Sequence, residues 1–190
     1  VGDEVVVNPA VAPLEAVIAL GDDAPLGRGF QILGEQRWGG HGGLVVVPSR
    51  NVVPRPAGRS WEECAAYPLA YLTAYRMLLN RCKLQAGHNV LIWGAAGGLG
   101  VFAVQLCKAL GAERVHTVSM PSRFSSEATR DDARIVSEAL GVDFREISIE
   151  PLVGAYHEAL GGLEGLAAEN LQARIRGALL MGLSNRFGYL

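Results

Sequence analysis

"NVLIWGAAGGLGVFAVQLCKALGAERVHTVS", residues 89–119, decides the fold. "NVLIWG" is a continuous apolar run ending in Gly94, the pattern of a buried strand. "GVFAVQLCKALG" has the spacing of a helix with one buried face, closed by Gly111, and "RVHTVS" reads as a second strand. Gly94, Gly97, Gly98 and Gly100 lie between the first strand and the helix. Glycine there permits a tight turn and lets backbone N–H groups approach a pyrophosphate, with the positive end of the helix dipole behind them. A plainer reading, glycines that serve only the packing of a strand-to-helix turn, stays open.

Outward toward the C-terminus, "ATRDDARIVSEALG" predicts a helix with Thr129 as its N-cap, and "FREISI" a third strand. The order βαβαβ implies a parallel sheet with right-handed crossovers. Two helices follow, "PLVGAYHEALGG" and "GLAAENLQARIRGALLMGLSNRFG", the second with Leu171, Ile175, Leu179 and Leu183 in an i, i+4 stripe. The closing "YL" reads as the beginning of another strand. Toward the N-terminus, Ser60 and Glu63 form a capping box that starts a helix in "SWEECAAYPLAYLTAYRMLLN". Residues 1–60 hold short apolar runs, "EVVV" and "GGLVVVPSRNVV", punctuated by Gly and Pro, and predict small antiparallel β structure. The expected class is α/β: a Rossmann-like parallel sheet with flanking helices over 61–190, preceded by a partial β-rich segment over 1–60.

Composition narrows the function. The chain has 190 residues, a formal charge of −2 and 17 basic residues that are scattered, so the one-sided basic stripe of a nucleic-acid binder is missing. No apolar run approaches the roughly 20 residues of a membrane span, and no signal-peptide pattern opens the chain. A cytoplasmic protein without membrane or nucleic-acid partners is expected, acting on a small-molecule nucleotide. Val1 and the strand-like "VGDEVVVNPA" suggest a fragment. An incomplete sheet with an open edge near the C-terminus suggests self-association. Cys64, Cys82 and Cys107 are far apart and lack metal-ligand spacing. They read as buried reduced thiols, and no metal site is expected. His41, in the glycine-rich "WGGHGG", reads as a solvated loop residue.

Residues 1 to about 115 resemble the zinc-free medium-chain dehydrogenase/reductases, in particular the quinone-oxidoreductase and enoyl-thioester-reductase branch. The segments that carry this are "GDEVVV", "WGGHGGLVVVPSRNVVPRP", "SWEECAAYPLAYLTAYRML" and "LQAGHNVLIWGAAGGLGVFAVQLCKALGA". The resemblance implies that the β-rich segment belongs to a GroES-like catalytic domain. It also implies that Gly94, Ala96, Gly97, Gly98, Leu99 and Gly100 hold the NADP(H) pyrophosphate, and that Thr73 and Tyr75 lie near the nicotinamide. The reaction implied is hydride transfer to an activated alkene or quinone. It identifies no catalytic side chain in this sequence.

From about residue 108 the chain resembles the synthetase domain of glutamine-dependent NAD synthetases, on "SMPSRFSSE", "DDA", "LGVDF" and "AAENLQARIRGALLMGLSNRFG". This places a seam near 107–115. The second resemblance implies amide-forming ligation in NAD biosynthesis with ATP, Mg and deamido-NAD. It implies that the "SMPSR" strand end holds adenosine and that Asn170, Ala173, Arg174 and Arg176 contact the dinucleotide. The Ser-Gly-Gly-x-Asp-Ser loop of that family is, however, replaced here by "GAAGGLG", which has neither hydroxyls nor a carboxylate. At the second strand's tip, Ser119, Ser122 and Arg123 stand without an acid, a pattern that favours a 2′-phosphate over a ribose diol. The expectation is therefore an NADP(H)-binding oxidoreductase with Arg123 on the 2′-phosphate. A ligase fragment and a nucleotide-binding scaffold without turnover are the alternatives.

Overall fold

The computed structural model describes residues 2–189; Val1 and Leu190 lie outside the described residues. The chain divides into two compact units, Val1–Thr73 and Ala74–Leu190.

In the first unit, β1 (Val5–Val7) precedes β2 (Ala10–Val11), α1 (Leu14–Leu20), a 3-10 segment (Gly21–Leu26), β3 (Gln31–Ile32) and β4 (Val52–Pro54). β1 pairs antiparallel with β4 and β2 with β3, as the short apolar runs predict. Buried Asn51 ties the two strand pairs together, its Nδ2 donating to Asn8 O at 2.8 Å and Ala10 O at 2.7 Å. Two expectations fail. "GGLVVV" forms no strand, and Leu44 and Val46 are almost fully exposed: a continuous apolar run specifies a strand only where partners bury both of its faces. The helix α1 was not anticipated, although Pro13 at its N-cap and the spacing of Leu14, Val17 and Ile18 are helical signals.

The capping box forms as expected: Ser60 Oγ accepts from Glu63 N–H and Glu63 Oε2 accepts from Ser60 N–H, opening α2 (Trp61–Ala66). These bonds to Ser60 and Arg59 hold the Glu63 carboxyl below its usual range. The single helix expected over this region is broken at Tyr67–Leu69, where Pro68 lacks the N–H that would continue the ladder. α3 (Ala70–Tyr75) then runs into a π-helical stretch, Arg76–Arg81. The first unit includes α2, because Arg55 lies over the Trp61 ring at 4.6 Å and Cys64 is buried.

The second unit runs β5 (Asn89–Trp93), α4 (Gly98–Ala109), β6 (Arg114–Ser119), α5 (Glu127–Ala139), β7 (Asp143–Glu146), α6 (Glu150–Leu160) and α7 (Gly165–Phe187). The strands form one parallel sheet in the order β5-β6-β7. The third strand is shorter than "FREISI" suggests. Ile147 N–H donates to Ser119 O and Ile149 N–H to Pro121 O, so the chain leaves the ladder and crosses the tip of β6. The N-cap of α5 is Ser126 rather than Thr129, whose N–H donates to Ser126 Oγ at 3.2 Å. Three Ser/Thr residues, Ser125, Ser126 and Thr129, compete for that position, and residue type alone does not rank them. Tyr189 is not in a strand; its N–H donates to Ser184 O, turning the chain back on α7.

Alternation along the strands builds two cores. Val118 and Met120, joined by Leu91, pack on Ile149 and Val153 and on Ile175, Leu171, Leu179 and Leu183 of the predicted α7 stripe. On the opposite pleat Thr117 Oγ1 meets Ser137 Oγ of α5 at 2.8 Å and donates to Asp143 O at 2.9 Å, while Val104 and Cys107 of α4 are fully buried. Burial pushes the Cys107 thiol up to about 11, with nearby Cys82 adding to the rise. Cys64 is buried as expected, but Cys82, which caps the end of the π-helical stretch, is exposed.

Candidate functional site

At the C-terminal ends of β5 and β6 the sheet opens into a cleft of about 220 Å³. Its floor is the glycine loop: Trp93, Gly94, Ala96 and Gly97 line it. Gly94 has φ +77, and a Cβ on Gly100 would stand 2.1 Å from Gly94 O. The loop is thus drawn onto the first turn of α4 so closely that only glycine fits. The N-cap Gly97 supplies no side chain to the first-turn N–H groups, which leaves those donors to a ligand or solvent.

Ser119, Met120 and Pro121 at the tip of β6 form the middle wall. Ser125, Thr129 and Arg130 close one side from the N-terminal end of α5. Across from them Arg176 reaches in from α7. Its Nε donates to Met120 O at 3.1 Å and its guanidinium lies 5.9 Å from the Trp93 ring centroid. Desolvation lowers the Arg176 pKa, and among the described residues no carboxylate pairs with it. No carboxylate lines the cleft either. The donor set suits phosphate oxygens and does not suit a magnesium–triphosphate group, which needs acidic oxygens for the metal. Among the described residues no three His, Cys, Asp or Glu side chains gather closely enough to hold a metal ion.

The remaining predicted residues stand as follows. Leu99 and Gly98 are exposed in the first turn of α4. Ser122 is buried behind the strand tip, accepting from Phe124 N–H at 3.4 Å. Arg123 is exposed and turned to α6: its N–H donates to Glu150 Oε1 at 2.7 Å and its Nε lies 3.3 Å from Oε2. It does not line the cleft. Asn170 and Arg174 are exposed one turn apart, and Arg174 Nη1 reaches the Asn170 carbonyl at 3.4 Å, not its amide. Tyr75 is exposed, and Thr73 Oγ1 donates to Leu69 O at 2.8 Å. Exposed His41 lies on an apolar groove of the first unit, beside Trp61 and Cys64. Sequence reasoning missed Thr129 and Arg130 as cleft residues. The signal was the register of α5: a helix capped at Ser126 puts its third and fourth residues over the strand tip.

The family model for NAD synthase matches residues 73–190, more than half of the chain. The chain belongs to the NAD synthase family. That match begins well before the expected seam, since the strand, glycine loop and helix of residues 89–109 suit both families' frame. The NAD synthase segment is accompanied by equally clear similarity to reductases. Crotonyl-CoA reductase from Streptomyces collinus is 40% identical over 125 residues, covering 64% of this chain and 28% of the relative. The solved 2-octenoyl-CoA carboxylase reductase CinF, in complex with NADP and 2-octenoyl-CoA, superposes with a TM-score of 0.62 at 36% identity, over 77% of this chain and 31% of the other. The glutamine-dependent NAD+ synthetase of Acinetobacter baumannii, in complex with ADP, gives a TM-score of 0.51 at 33% identity over 74% of this chain and 26% of the other. The chain therefore mixes two families and spans about a quarter to a third of the length of these relatives. No helix among the described residues is long and apolar enough to cross a membrane.

Proposed function

We propose that the cleft binds NADP(H), and that the chain is an oxidoreductase-type module of the reductase line. The observation that carries this reading is the Gly94–Gly100 cradle, in which Gly100 has no room for a side chain and the cleft above contains arginines but no acid. Bound NADPH would supply the hydride; the chain's own residues bind and orient it. First-turn N–H groups of α4 take the pyrophosphate, Ser119 at the tip of β6 faces the adenosine ribose, and Arg176 supplies the counter-charge from across the cleft. Hydride delivery to an activated alkene or quinone is the reaction that reading implies, and the names of the crotonyl-CoA and 2-octenoyl-CoA reductase relatives support the alkene.

A fluorescence titration with NADPH, followed by competition from ATP and deamido-NAD, tests this. Saturable binding that ATP and deamido-NAD displace poorly is expected; preferential ATP binding would return the cleft to the ligase reading. Arg176→Gln is expected to weaken NADPH and NADH alike, by about tenfold or more, since a charge-assisted bond to phosphate contributes roughly 1.5–3 kcal/mol. An unchanged dissociation constant for both would remove Arg176 from the site.

A further inference from the structure

Specificity at the ribose end depends on which cation can reach a 2′-phosphate. Arg123 does not line the cleft and pairs with Glu150 outside it. Arg130 is on the cleft wall, one helical turn after the Ser126 N-cap and beside the hydroxyls of Ser125 and Thr129. Its position is fixed by a two-point bond to the end of β7, Nε to Glu146 Oε2 at 3.2 Å and Nη2 to Glu146 Oε1 at 2.5 Å. Glu146 does not line the cleft with it; it shares with Arg130 a neighbouring charged surface that also carries Glu127, Asp131 and Arg134. Arg130 thus borders both the cleft and that charged surface, with its guanidinium held by Glu146. A guanidinium is also the group whose geometry suits phosphate oxygens.

We propose that Arg130, positioned by Glu146, is the residue that selects a 2′-phosphate over a 2′-hydroxyl in this cleft. The assignment rests on the NADP(H) reading above. Glu146 then acts in two senses at once: it holds the guanidinium in place and competes with the phosphate for it. Removing the arginine and removing its competitor should shift selectivity in opposite directions, whereas a pair that only ties α5 to β7 would make both substitutions weaken all nucleotides together.

The test is calorimetry of the full chain with 2′,5′-ADP and with 5′-AMP, and with NADPH and NADH, for the unaltered protein and for Arg130→Ala, Arg130→Lys, Arg123→Ala and Glu146→Gln, with circular dichroism to verify folding. Arg130→Ala should reduce the 2′,5′-ADP to 5′-AMP affinity ratio about tenfold, matching the loss of one charge-assisted contact at a partly exposed site. Arg130→Lys should recover part of that ratio. Glu146→Gln should raise it severalfold, and Arg123→Ala should leave it unchanged. A ratio that falls with Arg123→Ala and not with Arg130→Ala overturns the assignment while leaving the NADP(H) reading intact, as does a parallel loss for Arg130→Ala and Glu146→Gln. Failure of the unaltered chain to bind NADPH or NADH overturns the reading and the assignment together.

Discussion

Gly100→Ala should abolish saturable NADPH binding and destabilise the second unit by about 3 kcal/mol or more, at the upper end of what overpacking costs. An added Cβ would lie 2.1 Å from Gly94 O and 2.8 Å from both Ala95 Cα and Gly94 C. All three obstacles are backbone, so no rotamer change relieves them, and the loop must move off α4. That movement separates the peptide groups at Gly94–Gly97 from the helix N-terminus, and the anion cradle opens. Gly97→Ala, whose Cβ would meet Gly94 O at 3.4 Å, an ordinary contact, is the control for the stability loss alone, since Gly97 itself lines the cleft. A urea titration of both variants beside the NADPH titration separates the two outcomes. Binding by Gly100→Ala at the original affinity would show that the loop takes no part in holding the nucleotide.

Much of this was legible in the sequence because it is local. β5, the glycine loop, α4 and β6 follow from apolar run length and from glycines placed between strand and helix. The capping box at Ser60 and Glu63 is a four-residue signal complete in itself. The parts that were not legible depend on tertiary partners. "GGLVVV" looks like a strand until the absence of anything to pair with it is known. The cap of α5 fell on Ser126 among three competing hydroxyl residues, and that shift decides which arginine stands over the strand tip. The sequence pointed to Arg123 as the phosphate ligand; both it and Arg130 pair with a glutamate, and only the lining of the cleft, which includes Arg130 and not Arg123, distinguishes them. Arg176 was suggested by resemblance to one family, yet it lines a cleft whose floor comes from the loop pattern of the other.

That convergence makes Ile149→Ala the most informative core substitution. Ile149 is fully buried, its N–H donates to Pro121 O at the tip of β6, and its side chain joins Val118, Met120, Val153 and Ile175 with Leu91 packed alongside. Leu91 belongs to the reductase-like strand, and the other five residues lie beyond the seam. Truncation to alanine should cost about 2–5 kcal/mol, the transfer and cavity terms for a buried isoleucine. This is a large share of the roughly 5–15 kcal/mol that holds a typical domain together. The effect should extend to the site, because Ile175 and Arg176 are neighbours on α7 and Arg176 is seated by its bond to Met120 O. NADPH affinity should therefore fall even at urea concentrations where the variant remains folded. Ile149→Val keeps most of the volume and should cost only about 0.5–1.5 kcal/mol with affinity preserved. If Ile149→Ala lost stability while binding NADPH at full affinity, α7 would be a separate layer with no hand in the cleft. A joint loss would mean that segments resembling two families share one core, and that this core sets the distance between the glycine loop and the arginine facing it.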